Sequence, residues 1–514
     1  MNGADALLQT FVANDVTACF ANPGTSEMQF VAALDREPRM RPVLCLFEGV
    51  VTGAADGYGR IADKPACTLL HLGPGYGNGV ANLHNARRAF TPIVNVIGDH
   101  ATYHRQHDAP LNSDIFGLAR PNSLWIKSAD RADDIPALAA EAVAASYGAP
   151  GGPVSLVLPA DAAWTDTTRG PVTAAVPKRL APDGRTVEAV AKALREAKKP
   201  VVLIGGQACR AEALGPASRL AAHGLRVMTD TFVSRQARGG GVYAPGRMQY
   251  FGEAALADLE GVDLMVFVGT VTPVAFFAYP GRPSVLVPEG CSTLTLATRA
   301  EDSVAALTAL ADALGAPKEG PVQPLKLPDA APAGPLTPQS AGVAIARHLP
   351  EGAIICDDSV TSGGGVAVPC MTARPHDVLA LTGGAIGIGV PLAVGAGVAA
   401  PDRKIVALSG DGSAMYTVQA LWSLARENID CTVVVFANHS YRILNIEMQR
   451  TGSGNAGPSA SKLLDLGDPR IDWVSMAKAQ GVPAVRCETA EDFEKAFAGA
   501  MAQKGPMFIE AAIA

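Results

Sequence analysis

Two side chains that suit a hard divalent cation stand at the ends of two apolar runs near the C-terminus. IVALS (405–409) is a short apolar run closed by Gly410-Asp411-Gly412-Ser413, and CTVVVFA (431–437) is closed by Asn438-His439-Ser440. Between the runs, Val418, Leu421, Trp422 and Leu424 recur at helical spacing. A strand, crossover helix and parallel strand put both C-terminal strand ends on one sheet edge, where ligands bind in open α/β sheets. Asp411 and Asn438 can meet there. With a backbone carbonyl nearby, they form the oxygen set that Mg²⁺ takes when it holds a diphosphate. The glycines let backbone N–H groups approach an anion closely, at the positive end of the helix that follows.

The elements needed to position such a site run through the whole chain. Its 514 residues allow about three domains, and 48% hydrophobic against 18% charged residues points to large buried sheets. Residues 1–165 alternate helix and strand, with strands at 17–23, 43–50, 66–70, 92–99 and 154–161, and 71–75 as a glycine turn. A polar, Pro-containing linker follows. Residues 185–315 alternate again, with strands at 201–205, 227–231, 264–269 and 284–289. A Pro-rich stretch (318–338) leads into a third unit, 339–514, in which 383–400 reads as a buried glycine-rich helix. The fold expected is α/β, three doubly wound parallel-sheet domains. The net charge of −7 without a basic cluster argues against nucleic acid, and the apolar runs, broken by Gly and Pro, argue against a membrane span. Nine scattered cysteines without a CxxC pair, and no signal peptide at MNGADALLQT, indicate a cytoplasmic protein with reduced thiols.

NPGTSE (22–27), Glu48 followed by ADGYGR (55–60), HLGPGYGN (71–78), TGGAIGIGVPLAVGAG (382–397) and the GDGS…Asn unit occur in an order and spacing that resemble thiamine-diphosphate (ThDP)-dependent 2-oxo-acid enzymes. The pattern is similar to acetolactate synthase large-subunit homologues and to benzoylformate decarboxylase about equally, over essentially the whole chain. The resemblance implies a pyrimidine-binding first domain, a central domain and a diphosphate-binding third domain. It also implies sites between subunits of a homodimer or homotetramer. Asp411, Asn438 and the carbonyl of Ser440 then look like the Mg²⁺ ligands. Gly410, Gly412 and Ser413 would contact the diphosphate. Thr361 and Ser362 either join them or form a polar helix cap. Gly384 would accept from the cofactor's amino group, and Ile386 would prop its bend. Glu48 would hydrogen-bond the pyrimidine ring, with a charge at the N-terminus of the following helix its other reading.

The same resemblance gives His71 a proton-transfer role and Thr25 a substrate-facing hydroxyl, with a plain turn residue the other reading of Thr25. His107 lies in HATYHRQHD with His100 and His104; a solvated loop, a substrate-facing acid/base and a zinc site are its three readings. Departures from the family pattern are informative. Phe276 and Phe277 stand where the decarboxylase carries a second histidine, and no Arg-Phe-Asp-Asp run supports FAD. Residues 450–470 read as a lid. The activity expected is Mg²⁺- and ThDP-dependent carboligation or lysis of a 2-oxo acid, acetolactate-synthase-like, with simple decarboxylation to an aldehyde as the alternative. Intact Glu48, Asp411 and Asn438 argue against a non-catalytic regulatory subunit.

Overall fold

Short apolar runs become strands, and the small-residue segments between them become crossover helices. In the computed structural model, which describes residues 1–148 and 150–513, β1 (Ala18–Asn22), β2 (Arg41–Leu44), β3 (Ala66–Leu70), β4 (Ile93–Asp99), β5 (Ile126–Ser128) and β6 (Pro153–Pro159) form one sheet, ordered β2-β1-β3-β4-β6-β5. β7 (Pro200–Ile204), β8 (Arg226–Thr229), β10 (Gly246–Arg247), β11 (Leu264–Val268) and β12 (Ser292–Ala297) form a second, ordered β10-β8-β7-β11-β12. The third contains β9 (Gln236–Arg238), β13 (Ala353–Asp358), β14 (His376–Ala380), β15 (Ile405–Gly410), β16 (Cys431–Ala437), β17 (Ala484–Cys487) and β18 (Met507–Ala512), ordered β17-β18-β16-β15-β13-β14-β9. Neighbouring strands run parallel throughout, except that β9 pairs antiparallel with β14. The central strands are buried along their whole length, as parallel sheets covered on both faces require.

Several local expectations are corrected. Residues 45–50 do not continue a strand: Glu48 opens the helix Glu48–Ala62. The glycine turn after His71 is already helical, Leu72–Ala89. The helix expected over 383–400 covers only Gly389–Ala399, and Thr382–Ile388 is a loop. The strand expected at 284–289 is absent. The edge position is taken by β12, whose outer half is too exposed to read as an apolar run. Residues 450–470 contain a helix, Pro458–Leu464.

The first and third sheets share one core. The helix Glu48–Ala62 lies against Gly389–Ala399 so closely that a Cβ on Gly57 would stand 2.2 Å from the Leu392 carbonyl, and one on Gly395 1.8 Å from that of Ala54. Arg60 ties all three units together. Its guanidinium pairs with Asp56 (2.8 and 2.6 Å) and donates to the carbonyls of Ser234 (3.1 Å) and Ala380 (2.7 Å). At 3% exposure it is a buried cation whose hydrogen bonds are all within the protein, and this offsets its desolvation. No helix among the described residues is long and apolar enough to cross a membrane.

Candidate active site

Parallel pairing aligns the strand ends that carry the candidate residues. In the third sheet Asp358 pairs with Ser409, and Gly410 with Phe436, so the segments after β13, β15 and β16 leave one edge together. Asp411, buried, opens the short helix Asp411–Met415. Its carboxylate accepts from the amides of Gly412 (2.8 Å) and His439 (2.7 Å), which draws the Asn438–Ser440 loop over the turn. His439 takes a left-handed φ of 54°, and Asn438 Oδ1 accepts from Ser440 N (3.0 Å). A Cβ on Gly412 would lie 2.3 Å from the Tyr441 ring, so only glycine lets loop and turn touch. Burial lifts the Asp411 carboxyl above its usual range, and a bound divalent cation would reverse that cost. The donors gathered here, carboxylate, amide oxygen and a main-chain carbonyl, fit Mg²⁺.

The loop carrying Gly384 and Ile386 joins the same place. Thr417 donates to the Gly387 carbonyl (2.6 Å), and a Cβ on Gly387 would meet Tyr416 at 2.5 Å. Gly384 has φ 80°, open to glycine at little cost, and packs under the Phe276 ring. Ile386 is half-buried. Ser413 is buried beside this loop. Ser362 is buried at the start of the helix Gly363–Ala367 without capping it through its side chain, and Thr361 is exposed. Val360, just before them, has a left-handed φ of 48°, a strained conformation for a β-branched residue.

On the first sheet, β1, β3 and β4 end side by side. His71 follows β3, and Leu72 then turns sharply with φ 49°. His71 Nδ1 lies 2.9 Å from Glu27 Oε2, and Glu27 also accepts from Gly24 N (2.7 Å). The Glu27 carboxyl is raised by burial, against the opposing pull of His71. Gly24 sits directly against the imidazole: a Cβ there would be 2.2 Å from His71 Nδ1. Asn78 donates to Glu48 Oε2 (3.0 Å), and Gly75 lies against both Glu48 and His71. Thr25 is exposed in the turn Thr25–Glu27. His100, His104 and His107 form a series with ring centroids 5.3 and 5.7 Å apart, and His107 is exposed at its outer end. No metal-binding group of three or more His, Cys, Asp or Glu side chains occurs among the described residues.

Sequence reasoning did not single out Glu27, Asn78, Asn85 or Asp358. The first two lie inside the quoted motifs NPGTSE and HLGPGYGN, where they read as turn and cap residues. Asn85 is fully buried and holds the Gly384 loop: it donates to the Ala385 carbonyl (2.7 Å) and accepts from Gly383 N (3.1 Å). Helix Leu72–Ala89 therefore connects His71 and the Asn78–Glu48 contact to that loop in one rigid element.

Two family models match this chain: the N-terminal TPP-binding domain of thiamine pyrophosphate enzymes over residues 1–118, and the C-terminal TPP-binding domain over 366–511. A Mycobacterium tuberculosis protein named "Putative acetolactate synthase large subunit IlvX" is 50% identical over 100% of this chain and 99% of its own length. Benzoylformate decarboxylase of Pseudomonas aeruginosa is 29% identical over 96% of each chain. The solved structure of a Rhodococcus jostii ThDP-dependent 4-hydroxybenzoylformate decarboxylase superposes with a TM-score of 0.87 at 25% identity, covering 100% of this chain and 99% of the other. With the oxygen donors of the third sheet and the Glu48 helix of the first in place, the chain belongs to the thiamine pyrophosphate enzymes and is a ThDP-dependent enzyme of the acetolactate synthase and benzoylformate decarboxylase type.

Proposed function

We propose that this enzyme decarboxylates a 2-oxo acid and that His71, backed by Glu27, protonates the carbon from which CO₂ departs. The Glu27–His71 pair carries this reading. With Nδ1 engaged by a buried carboxylate, Nε2 is the nitrogen left to exchange a proton with substrate. Bound ThDP supplies the electron sink for decarboxylation. Asp411, Asn438 and the Ser440 carbonyl hold Mg²⁺, while Gly410, Gly412 and Ser413 line the diphosphate, with Ser362 and Thr361 at its margin. The Gly384 carbonyl would accept a hydrogen bond from the cofactor's amino group, Ile386 would support it from below, and Glu48, steadied by Asn78, would share a proton with the pyrimidine ring. Thr25 would offer a hydroxyl to the substrate, and His107 an acid or base at the outer rim.

Carboligation to an acetohydroxy acid is the second reading, favoured by the half-identical relative named for acetolactate synthesis. The complete site lies between two copies. In support, Leu46 near Glu48, and Met415 and Tyr416 beyond the GDG turn, are apolar side chains left exposed in one chain. Nine free thiols fit a reducing cytoplasm. We take the three units as 1–165, 185–315 and 339–514, the second lending Gln236–Arg238 to the edge of the third sheet. The test is a panel of pyruvate, 2-oxobutyrate, branched 2-oxo acids and benzoylformate with ThDP and Mg²⁺, recording CO₂ and organic products together. CO₂ with an equal amount of aldehyde supports the first reading. Acetohydroxy acid equal to the CO₂, with two 2-oxo acids consumed for each CO₂ released, replaces it with the second. No ThDP-dependent CO₂ from any acid overturns both.

A further inference from the structure

Asp358 is a buried carboxylate with an incomplete set of partners, and it lies directly behind the Gly384–Ile388 loop. It ends β13 at 1% exposure. Its Oδ2 accepts from three consecutive backbone amides, those of Gly387 (2.7 Å), Ile388 (3.1 Å) and Gly389 (3.4 Å). These are the first free N–H groups of the eleven-residue helix Gly389–Ala399 and of the turn before it, where a negative charge is favoured. Oδ1 is buried without a partner among the described residues. The contact is tight: a Cβ on Gly389 would come 2.9 Å from the Asp358 Cβ. Residues on the other side of Asp358 are fixed independently, since Asp357 Oδ1 accepts from Ser359 N (3.0 Å) and Ser359 Oγ (2.5 Å).

Burying a carboxylate and leaving one oxygen unpaired is costlier than a helix cap is stabilising. That cost needs a use. Ile386 directly precedes the first amide that Asp358 holds, and Asn85 fixes Gly383 and Ala385 from the opposite side. Asn85 thus holds Gly383 to Ala385 and Asp358 holds Gly387 to Gly389, with Ile386 between the two clamps.

We propose that Asp358 is a positioning residue for the cofactor's bend: by holding the Gly387–Gly389 amides it sets the height of Ile386. This rests on the assignment of Ile386 to ThDP made above. Among the described residues, the Asp358 side chain hydrogen-bonds only Gly387, Ile388 and Gly389, and neither the Gly410–Ser413 turn nor the Asn438–Ser440 loop, so its effect falls on the bend and not on the diphosphate, although Thr361 and Ser362 follow it in sequence.

Calorimetric titration of the purified protein with Mg²⁺-ThDP and, separately, with Mg²⁺-pyrophosphate tests this. Asp358→Ala weakens ThDP about tenfold or more, equivalent to about 1.4 kcal/mol, while pyrophosphate affinity stays within about twofold. Ile386→Ala, with Asp358 intact, gives the same selective loss. Asp358→Asn keeps one acceptor oxygen and serves if the alanine variant does not fold; it weakens ThDP by about threefold, again without affecting pyrophosphate. Parallel weakening of both ligands, or no change in either, overturns the proposal. Failure of the wild-type protein to bind ThDP at all overturns instead the cofactor assignment on which it rests.

Discussion

Glu27 Oε2 and His71 Nδ1 lie 2.9 Å apart across the ends of two adjacent strands, and Gly24 fills the space beneath the imidazole. The carboxylate is buried, and the imidazole side chain is 21% exposed on its open side. A partner of this kind fixes the ring's orientation and its tautomer. Glu27→Gln removes the counter-charge while keeping the shape. We expect kcat to fall about 10- to 100-fold with ThDP affinity unchanged. Steady-state kinetics and a ThDP titration check this.

Gly24→Ala tests the same geometry by steric means. The added methyl would meet the imidazole at 2.2 Å, closer than any rotamer adjustment of a ring tolerates. His71 must leave Glu27, so kcat falls about as far as in His71→Ala, on the order of 10²-fold. Global stability, read by thermal denaturation, drops by only about 1–2 kcal/mol.

Glu48→Gln keeps the Asn78 contact at one atom but cannot share a proton with the pyrimidine ring. Turnover falls by about 10²- to 10⁴-fold while the protein still binds ThDP, measured by quenching of intrinsic fluorescence. Full ThDP-dependent turnover in this variant would remove Glu48 from the mechanism.

Metal removal couples to stability. Saturating ThDP with Mg²⁺ at about 100 times Kd stabilises the fold by about 2.7 kcal/mol. A chelator abolishes that increment, and Asp411→Asn prevents it from appearing. Differential scanning calorimetry with and without Mg²⁺ reads both.

Asp358 gives a stability signature in pH. Burial pushes its carboxyl from 3.8 up to about 7, with the neighbouring Asp357 charge acting in the same direction against the three amides. A folded-state value above the unfolded one means that the folded protein holds the proton more tightly. Its stabilising contribution is complete below pH about 4 and is lost as the pH rises through about 7, at about 1.4 kcal/mol per pH unit. Asp358→Asn removes this slope. The difference in Tm between variant and wild type therefore moves in the variant's favour from pH 4.5 to about 7.5.

The parts of this site that are legible in sequence are those whose meaning is local. An apolar run ended by Gly-Asp-Gly, and a second ended by Asn, describe two strand ends whatever surrounds them. Glu27 is different. In a turn, three residues after Gly24, it reads as a cap, and only its contact with a histidine 44 positions away gives it another role. Asp358 likewise acquires its partners from a loop about 30 residues on. Glu48 was placed at a strand end because 43–50 is apolar; the chain instead turns at Cys45–Phe47, and the helix dipole then favours a carboxylate at its first position. The edge strand β12 escaped because half-exposed edges carry polar residues, which weakens the apolar signal that marks central strands.

β9 has a consequence for how this chain can be rebuilt. Gln236–Arg238 lies in sequence between β8 and β10 of the second sheet, yet it closes the edge of the third. The second unit is therefore not a removable cassette. A chimera that exchanges residues 185–315 for a foreign counterpart takes this edge strand away with it, and leaves β14 with bare N–H and C=O groups along the border that leads to the Gly384 loop. Grafts that retain 236–238 from the recipient should stay soluble, whereas clean swaps at the linkers should associate through that open border.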